Sequence, residues 1–185
     1  MAVTRLVWGY IEAQDLQLMR RVHGWRPPRW FRVWMLLVTR LGDGWLWYAL
    51  GLVIFFFGGE PRYRALLSGA VAVFAGVLLF RLVKMGSRRR RPCHLAKHCW
   101  ATVLPPDQFS FPSGHTITAF AMAVSIAHFY PQCYGYLLFL AASIAVSRII
   151  LGMHFLSDVV VGALIGIGLG YASVCVCMKA IELSL

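Results

Sequence analysis

The sequence predicts an all-α integral membrane helical bundle of about five to six transmembrane helices, preceded by an N-terminal amphipathic interfacial helix. Hydrophobic residues make up 59% of the 185 residues and charged residues only 14%, and the mean hydropathy is +0.68. Soluble domains carry about a quarter charged residues. Apolar stretches close to the roughly 20 residues that cross a bilayer recur along the chain. Composition and periodicity therefore both favour a membrane protein.

Residues 1–40 form the predicted N-terminal amphipathic segment. Between residues 4 and 22 apolar side chains recur at helical spacing and charged side chains fill other positions, which is typical of a helix that lies on the membrane surface. Pro27-Pro28 ends this helix, and the apolar piece 30–39 is too short to span a membrane by itself. The apolar positions of the first helix are Val7, Ile11, Leu18 and Val22.

Residues 41–185 form the predicted membrane-embedded core. A turn at Leu41-Gly42-Asp43-Gly44 opens it, and the first crossing begins near Leu41 or earlier. The later crossings are residues 65–83, 114–130, 134–151 and 155–178. Gly162, Gly166 and Gly170 recur at the spacing of closely packed membrane helices. Because successive crossings alternate direction, the polar segments that follow the second and fourth crossings share one membrane face.

The formal net charge is +11, concentrated in the first forty residues and in residues 81–97. Juxtamembrane basic residues commonly meet anionic lipid head groups. Nucleic-acid binding is the alternative for a basic chain, but the second cluster abuts a membrane segment and no nucleic-acid fold signature accompanies it. We therefore expect membrane lipids, and no nucleic acid, as partners; the oligomeric state stays open.

Three cations, Lys84, Arg91 and Arg148, lie near the ends of predicted crossings on one face. Charges at such positions are costly unless they snorkel or find partners. Their convergence on His115 and His154 is better explained by an anion, since Arg binds phosphate oxygens in a bidentate manner and Lys supplies a point charge.

Pro112-Ser113-Gly114-His115 reads as the start of a helix. Proline suits the first turn and serine suits the cap. The free N–H groups and the positive end of the helix dipole favour a phosphate oxygen, and Gly114 would let a ligand approach the backbone. A capped helix with a histidine at the membrane interface remains the alternative.

His154 and Asp158 are four residues apart, so they share a face of a helix. A carboxylate bonded to one imidazole nitrogen fixes the tautomer and leaves the other nitrogen nucleophilic. The alternative is a structural histidine–aspartate hydrogen bond.

Together these segments resemble the three signature motifs of the type 2 phosphatidic acid phosphatase superfamily. Lys84-x6-Arg91-Pro92, Pro112-Ser113-Gly114-His115 and Ser147-Arg148-x5-His154-x3-Asp158 match in order. The resemblance implies that His154 attacks phosphorus, that Asp158 orients it, and that His115 protonates the leaving oxygen. It also implies that no metal and no cofactor are needed. The implied phosphate-binding residues are Lys84, Arg91, Ser113, Gly114 and Arg148.

The resemblance implies a bacterial lipid phosphatase that hydrolyses a phosphomonoester or diphosphate. Undecaprenyl diphosphate, phosphatidylglycerol phosphate, phosphatidic acid and lipid A phosphates are the candidate substrates. A lipid-to-lipid phosphotransferase and a non-enzymatic lipid-binding protein are the alternatives. By the same resemblance we expect a multi-pass protein of the cell (inner) membrane with its active site on the non-cytoplasmic face.

Two features of the polar segment that follows the second crossing stay open. Arg88, Arg89 and Arg90 either hold a second phosphate or head group or are solvated charges near anionic lipid. Cys93 and Cys99 flank two histidines and are unpaired, joined by a disulfide in an oxidising compartment, or zinc ligands of unusual spacing.

Overall fold

The computed structural model describes residues 2–95 and 108–183, and within these ranges eight α-helices carry most of the chain. The prediction of an all-α protein is confirmed, because the described residues contain no β-strand beyond one isolated bridge between Arg90 and Phe109. A π-helical segment, Leu41–Trp45, joins the second helix to the third. The helices are α1 Ala2–Gly24, α2 Arg29–Arg40, α3 Leu46–Phe57, α4 Arg62–Ser87, α5 Pro92–Leu95, α6 Gly114–Phe129, α7 Tyr134–Ile150 and α8 Leu156–Glu182.

Four helical segments of the described chain are long and apolar enough to cross a membrane: Arg29–Phe57, Arg62–Ser87, Pro131–Ile150 and Leu156–Glu182. Large apolar side chains such as those of Phe74 and Leu164 are exposed along them. Apolar surface exposed on this scale marks contact with a partner or a membrane, and here the segments have the length and composition for lipid. The predicted helical membrane bundle is confirmed.

Helix α6, which corresponds to the predicted crossing 114–130, is the centre of the bundle. It packs against α4, α7 and α8, and every residue from 121 to 127 is buried. Its buried side chains are mostly small, so the surrounding helices approach closely. With 16 residues it is shorter than the 26 residues of α4 and the 27 of α8.

The shortness of α6 creates a recess at one end of the bundle. At the other end, the hydroxyl of Tyr130 donates to the carbonyl of Gly58 at 2.9 Å, so α6 reaches the level where α3 ends. The first residue of α6, Gly114, lies beside Phe80, because a Cβ there would sit 3.3 Å from that ring. Phe80 is two turns before the end of α4, so α6 begins about 10 Å short of the last residue of α4.

The predicted turn at residues 41–44 is instead a kink within one helical segment. The segment stays helical from α2 through the π-helical residues into α3, and Gly44, with φ of 123°, carries the bend. Gly42 is buried, and a Cβ there would lie 2.9 Å from Ile144 on α7. The apolar piece 30–39 therefore begins this first span, and α2 packs on α7.

Helix α1 lies at the recessed end of the bundle, where it contacts α7 and α8. It covers the predicted amphipathic segment 4–22 and extends it to residues 2–24. Its Asp15 is buried, although the predicted interfacial helix would leave charged residues in water. This carboxylate joins α1 to the site described below.

The glycine series of α8 packs directly on α6. A Cβ at Gly166 would lie 2.5 Å from the carbonyl oxygen of Ile117, and one at Gly170 would lie 2.8 Å from Val124. A Cβ at Gly168, on another face of α8, would meet no heavy atom of the described chain within 4 Å. The series therefore serves close helix packing.

Replacing Gly166 by alanine is expected to destabilise the protein by about 1–3 kcal/mol, because the new methyl group overlaps the backbone of α6. Gly168→Ala is the matched control on the same helix, and it should leave the melting temperature in detergent unchanged or raise it, since alanine favours a helix. Equal melting temperatures of the two variants would contradict the packing described for α6 and α8.

Candidate active site

A short loop between α7 and α8 carries His154 into the recess. The carbonyl of Arg148 accepts the N–H groups of Met153 at 3.0 Å and of His154 at 3.1 Å. Gly152, with φ of 67°, makes the left-handed turn that this loop requires. The N–H of Cys93 donates to the carbonyl of Gly152 at 3.1 Å, so the segment that follows Arg91 is bonded to the same loop.

The imidazole of His154 is almost completely buried, with an exposed fraction of 2%. Nη1 of Arg91 lies 3.1 Å from Nε2 of His154 and donates to the carbonyl of Met153 at 2.9 Å. Because a guanidinium can only donate, Nε2 acts as the acceptor and carries no proton. The proton of the neutral ring is then on Nδ1. The single lone pair on Nε2, which here accepts from Arg91, can attack an electrophile that takes the place of this contact.

Asp158 stands behind His154 on the Nδ1 side. Its Oδ2 lies 3.7 Å from Nδ1, which is contact range but longer than a hydrogen bond. The same oxygen accepts the N–H of Phe155 at 2.9 Å, and Oδ1 accepts from Arg89 at 2.7 Å. The carboxylate is thus held at the first turn of α8 with one oxygen facing the imidazole.

The environment keeps His154 uncharged. Burial lowers the pKa of its imidazole to about 3, and the charges of Arg91 and Arg148 act in the same direction against the opposing effect of Asp158. At neutral pH the ring is therefore neutral, which is the state a nucleophile needs.

His115 lies in the first turn of α6 and binds Asp43 of the π-helical segment. Its Nε2 is 2.7 Å from Oδ1 of Asp43, and both side chains are partly exposed. An ionised carboxylate can only accept, so this contact places a proton on Nε2 of His115. π-Helical segments often occur at functional sites, and this one supplies the partner of the second histidine.

Arg148 is buried on the last turn of α7, where its Nη1 donates to Oγ1 of Thr39 on α2 at 2.8 Å. Its charge acts on both His115 and His154, as does that of Arg91. The two guanidinium groups therefore lie within electrostatic reach of both histidines.

Lys84, Ser113 and Gly114 lie at the junction of α4 and α6. The ammonium group of Lys84 is 5.8 Å from the centre of the Phe80 ring. Ser113 is the N-terminal cap residue of α6, its N–H donates to the carbonyl of Asp158 at 3.2 Å, and its hydroxyl accepts from Thr116. Gly114 lets α6 lie against Phe80, a packing role in addition to the ligand approach expected from the sequence.

Arg88, Arg89 and Arg90, which follow α4, have different surroundings. Arg88 ends α4 in a left-handed conformation, with φ of 48°, and turns the chain back towards the bundle. Arg88 and Arg90 are exposed and border a cavity of about 340 Å³ that Trp8 and Glu12 also line. Arg89 is buried and pairs with Asp15 and Asp158.

The structure thus brings His154, Arg91 and Asp158 into direct contact, with His115 and Arg148 close by. The sequence patterns predict no site role for Asp15 or Thr39, and they place Asp43 in a turn. One signal for Asp15 was present: it lies four residues after Ile11 and three before Leu18, so it is a carboxylate within the apolar stripe of α1. The open question of how Cys93 and Cys99 are paired falls partly outside the described residues, because Cys99 is not among them.

A membrane bundle that gathers two histidines and several guanidinium groups at one end defines a membrane-embedded protein built to handle a phosphate group. The chain belongs to the PAP2 superfamily, whose model matches residues 64–182. This confirms the family that the three motifs indicated.

Two relatives of known name are phosphatases. The chain is 40% identical over 134 residues to decaprenylphosphoryl-5-phosphoribose phosphatase of Mycobacterium tuberculosis, covering 69% of this chain and 68% of the relative. It is 27% identical over 151 residues to lipid A 1-phosphatase of Rhizobium etli, covering 70% of this chain and 64% of that protein.

Two crystal structures share the fold. LpxE of Aquifex aeolicus has a TM-score of 0.73 and 31% identity, covering 85% of this chain and 93% of that chain. A PAP2-type phosphatidylglycerolphosphate phosphatase of Bacillus subtilis has a TM-score of 0.70 at 24% identity, covering 95% of this chain and 88% of that chain, which supports the fold alone. Together the comparisons support a membrane-embedded lipid phosphatase of the PAP2 superfamily.

The burial of neutral His154 should make folding stability depend on pH. Its folded pKa of about 3 lies below the unfolded value of about 6.5, so its contribution is complete above that unfolded value and falls as the pH drops towards 3. Between pH 7 and pH 5 the wild-type melting temperature in detergent should fall more steeply than that of His154→Asn.

His128→Asn, a change at an exposed position near the other end of α6, is the control for this measurement and should keep the wild-type pH dependence. Identical pH dependence in wild type and His154→Asn would contradict a buried, neutral imidazole.

Proposed function

We propose that this protein hydrolyses the phosphomonoester or diphosphate of a membrane lipid through a phosphohistidine at His154. The observation that carries the proposal is the arrangement around that ring, in which Arg91 leaves Nε2 as an unprotonated acceptor and Asp158 faces Nδ1. A neutral imidazole that contacts Arg91 on one side and Asp158 on the other, next to cations that can stabilise phosphoryl oxygens, suits nucleophilic attack on phosphorus.

The reaction has two steps. Nε2 of His154 attacks phosphorus, the bond to the lipid oxygen breaks, and His115 gives that oxygen a proton. Water then attacks the phosphohistidine, its proton passes to His115, and the N–P bond breaks to release phosphate and restore the lone pair on Nε2. Arg91 and Arg148 stabilise the charge on the phosphoryl oxygens; Lys84, Ser113 and Gly114 complete the proposed phosphate site.

The substrate class proposed is a lipid phosphate or diphosphate, of the undecaprenyl diphosphate, phosphatidylglycerol phosphate, phosphatidic acid or lipid A type. The names of the relatives support a lipid-linked phosphate, since they include a polyprenylphosphoryl sugar phosphate and lipid A. The guanidinium groups can stabilise the phosphoryl charge without a metal, so we propose a metal-independent reaction.

Purified protein in detergent is expected to release phosphate from at least one lipid of a panel of these four classes. His154→Ala should reduce that release by about 10⁴-fold or more, because the loss of a nucleophile leaves only binding and charge stabilisation. A phosphohistidine should be trapped from wild type and not from His154→Ala, and EDTA should leave the rate unchanged.

The panel also separates the alternatives. Phosphate that appears on an added acceptor lipid rather than in solution would replace hydrolysis with phosphotransfer. Full activity of His154→Ala would overturn the mechanism, and no turnover of any lipid by wild type would favour a binding protein.

We also propose that the site faces away from the cytoplasm in the cell membrane, as the resemblance to bacterial lipid phosphatases implies. Gln108 and Gln132 are exposed residues at opposite ends of the bundle, so they form a matched pair of reporters. In a background without native cysteines, an impermeant maleimide should label Gln108→Cys in intact spheroplasts and Gln132→Cys only after permeabilisation. The reverse pattern would place the site at the cytoplasmic face.

A further inference from the structure

We propose that Asp15 of the N-terminal helix α1 is a positioning residue for the reaction at His154. It acts through Arg89, which connects Asp15 to Asp158 behind the imidazole. This inference rests on the proposed function of His154, and it assigns to α1 a role in the chemistry in addition to contact with the membrane.

The three side chains form a continuous buried ion-pair chain. Nη2 of Arg89 lies 2.7 Å from Oδ2 of Asp15, and Nη1 of the same guanidinium lies 2.7 Å from Oδ1 of Asp158. The exposed fractions are 5% for Asp15, 8% for Arg89 and 0% for Asp158. Pairs with so little access to water are screened weakly by salt, and they offset the cost of burial only when their geometry is good.

Asp15 also holds the start of α8. Its Oδ1 accepts the N–H of Ser157 at 3.1 Å, and its Oδ2 accepts the Ser157 hydroxyl. The first N–H groups of a helix have no partner within the helix, and an acidic side chain near them is favourable. These bonds seat α1 against the start of α8 and keep Asp15 within reach of Arg89.

Aromatic rings restrict the position of Arg89. Its guanidinium carbon is 4.2 Å from the centre of the Phe155 ring and 5.6 Å from that of Trp8 on α1. Both distances fall within the range of cation–π contacts. Because Phe155 directly follows His154, the position of Arg89 is coupled to the loop that carries the nucleophile.

Charge balance explains why the row of ion pairs needs the carboxylate of Asp15. The attack on phosphorus puts positive charge on the His154 ring, which a net negative group behind Nδ1 stabilises. Asp15, Arg89 and Asp158 together carry one net negative charge, whereas Arg89 and Asp158 alone carry none. Asp15 thus allows Arg89 to fix Asp158 without cancelling its effect on the imidazole.

The test compares Asp15→Asn with Glu12→Gln, which makes the same carboxylate-to-amide change three residues earlier on α1. Asp15→Asn is expected to lower kcat about tenfold and to leave KM within twofold, because the phosphate-binding side of His154 is unchanged. Glu12→Gln should keep the wild-type kcat, and Asp15→Glu, which keeps the charge, should recover most of the loss.

Arg89→Gln separates positioning from simple anchoring of α1. If Asp15 acts through Arg89, adding Asp15→Asn to the Arg89→Gln variant should alter kcat by less than twofold. A tenfold loss in both backgrounds, or a wild-type kcat for Asp15→Asn, would overturn the proposal. If Asp15→Asn does not fold, the double variant replaces it: kcat equal to that of Arg89→Gln supports the proposal, and a further tenfold loss overturns it.

A second readout does not depend on turnover. The Nδ1 proton and ¹⁵N signals of His154 in detergent-solubilised protein should shift in Asp15→Asn and stay unchanged in Glu12→Gln. If the signals shift in Asp15→Asn but the wild-type protein hydrolyses no lipid, the positioning role is supported and the proposed function is overturned. If the wild-type protein is active and the signals do not change in Asp15→Asn, the positioning role is overturned and the proposed function is not.

Discussion

The burial of charge at one end of an apolar bundle is the constraint on which the rest of the site depends. Among the described residues, three arginines and two aspartates are less than 9% exposed, and the five sit at the recessed end. Isolated charges in such surroundings are strongly unfavourable, so they must pair or bind a ligand. With His154 neutral, the set carries a surplus of one positive charge. A phosphate group complements that surplus, and this links the stability of the fold to its proposed ligand.

The same constraint explains how α1 is attached. A purely interfacial amphipathic helix would be held by lipid alone, with its charged residues in water. Asp15 instead sits within the apolar stripe of α1 and meets Arg89 inside the protein. Because breaking such a pair leaves an uncompensated buried charge, the contact fixes the position of α1 around the helix axis as well as its distance from α8. The amphipathic pattern thus defines two surfaces, one for lipid and one for the site.

The sequence predicts the site residues that belong to the three motifs, because their spacing along the chain is itself informative. The spacing of His154 and Asp158 predicted that both lie on one helix face, and this was wrong for His154, which lies in the loop before α8. The predicted proximity of the two side chains is nevertheless found, at 3.7 Å rather than as a hydrogen bond. Partners could not be assigned to Asp43, Thr39 and Asp15 in the same way, because those partners lie far away in sequence. The stripe position of Asp15 indicates a buried carboxylate but not its partner, and the contacts of Asp43 and Thr39 depend on a kink and on helix orientations that no local pattern encodes.

The length of α6 is the feature that makes such a site possible in a small membrane protein. Helix α6 crosses the middle of the bundle in about four turns. Its first residue, Gly114, lies beside Phe80, about 10 Å below the last residue of α4. The free N–H groups and the positive end of its dipole are therefore held below the rim, where the low dielectric strengthens their effect on an anion. The loops that follow α4 and α7 then need only fold inward over this recess to place Arg91 and His154 above it. A central helix as long as its neighbours would fill the recess. The small side chains that let α4 and α8 close around a short α6 therefore help to keep open the place where Arg91 and His154 meet.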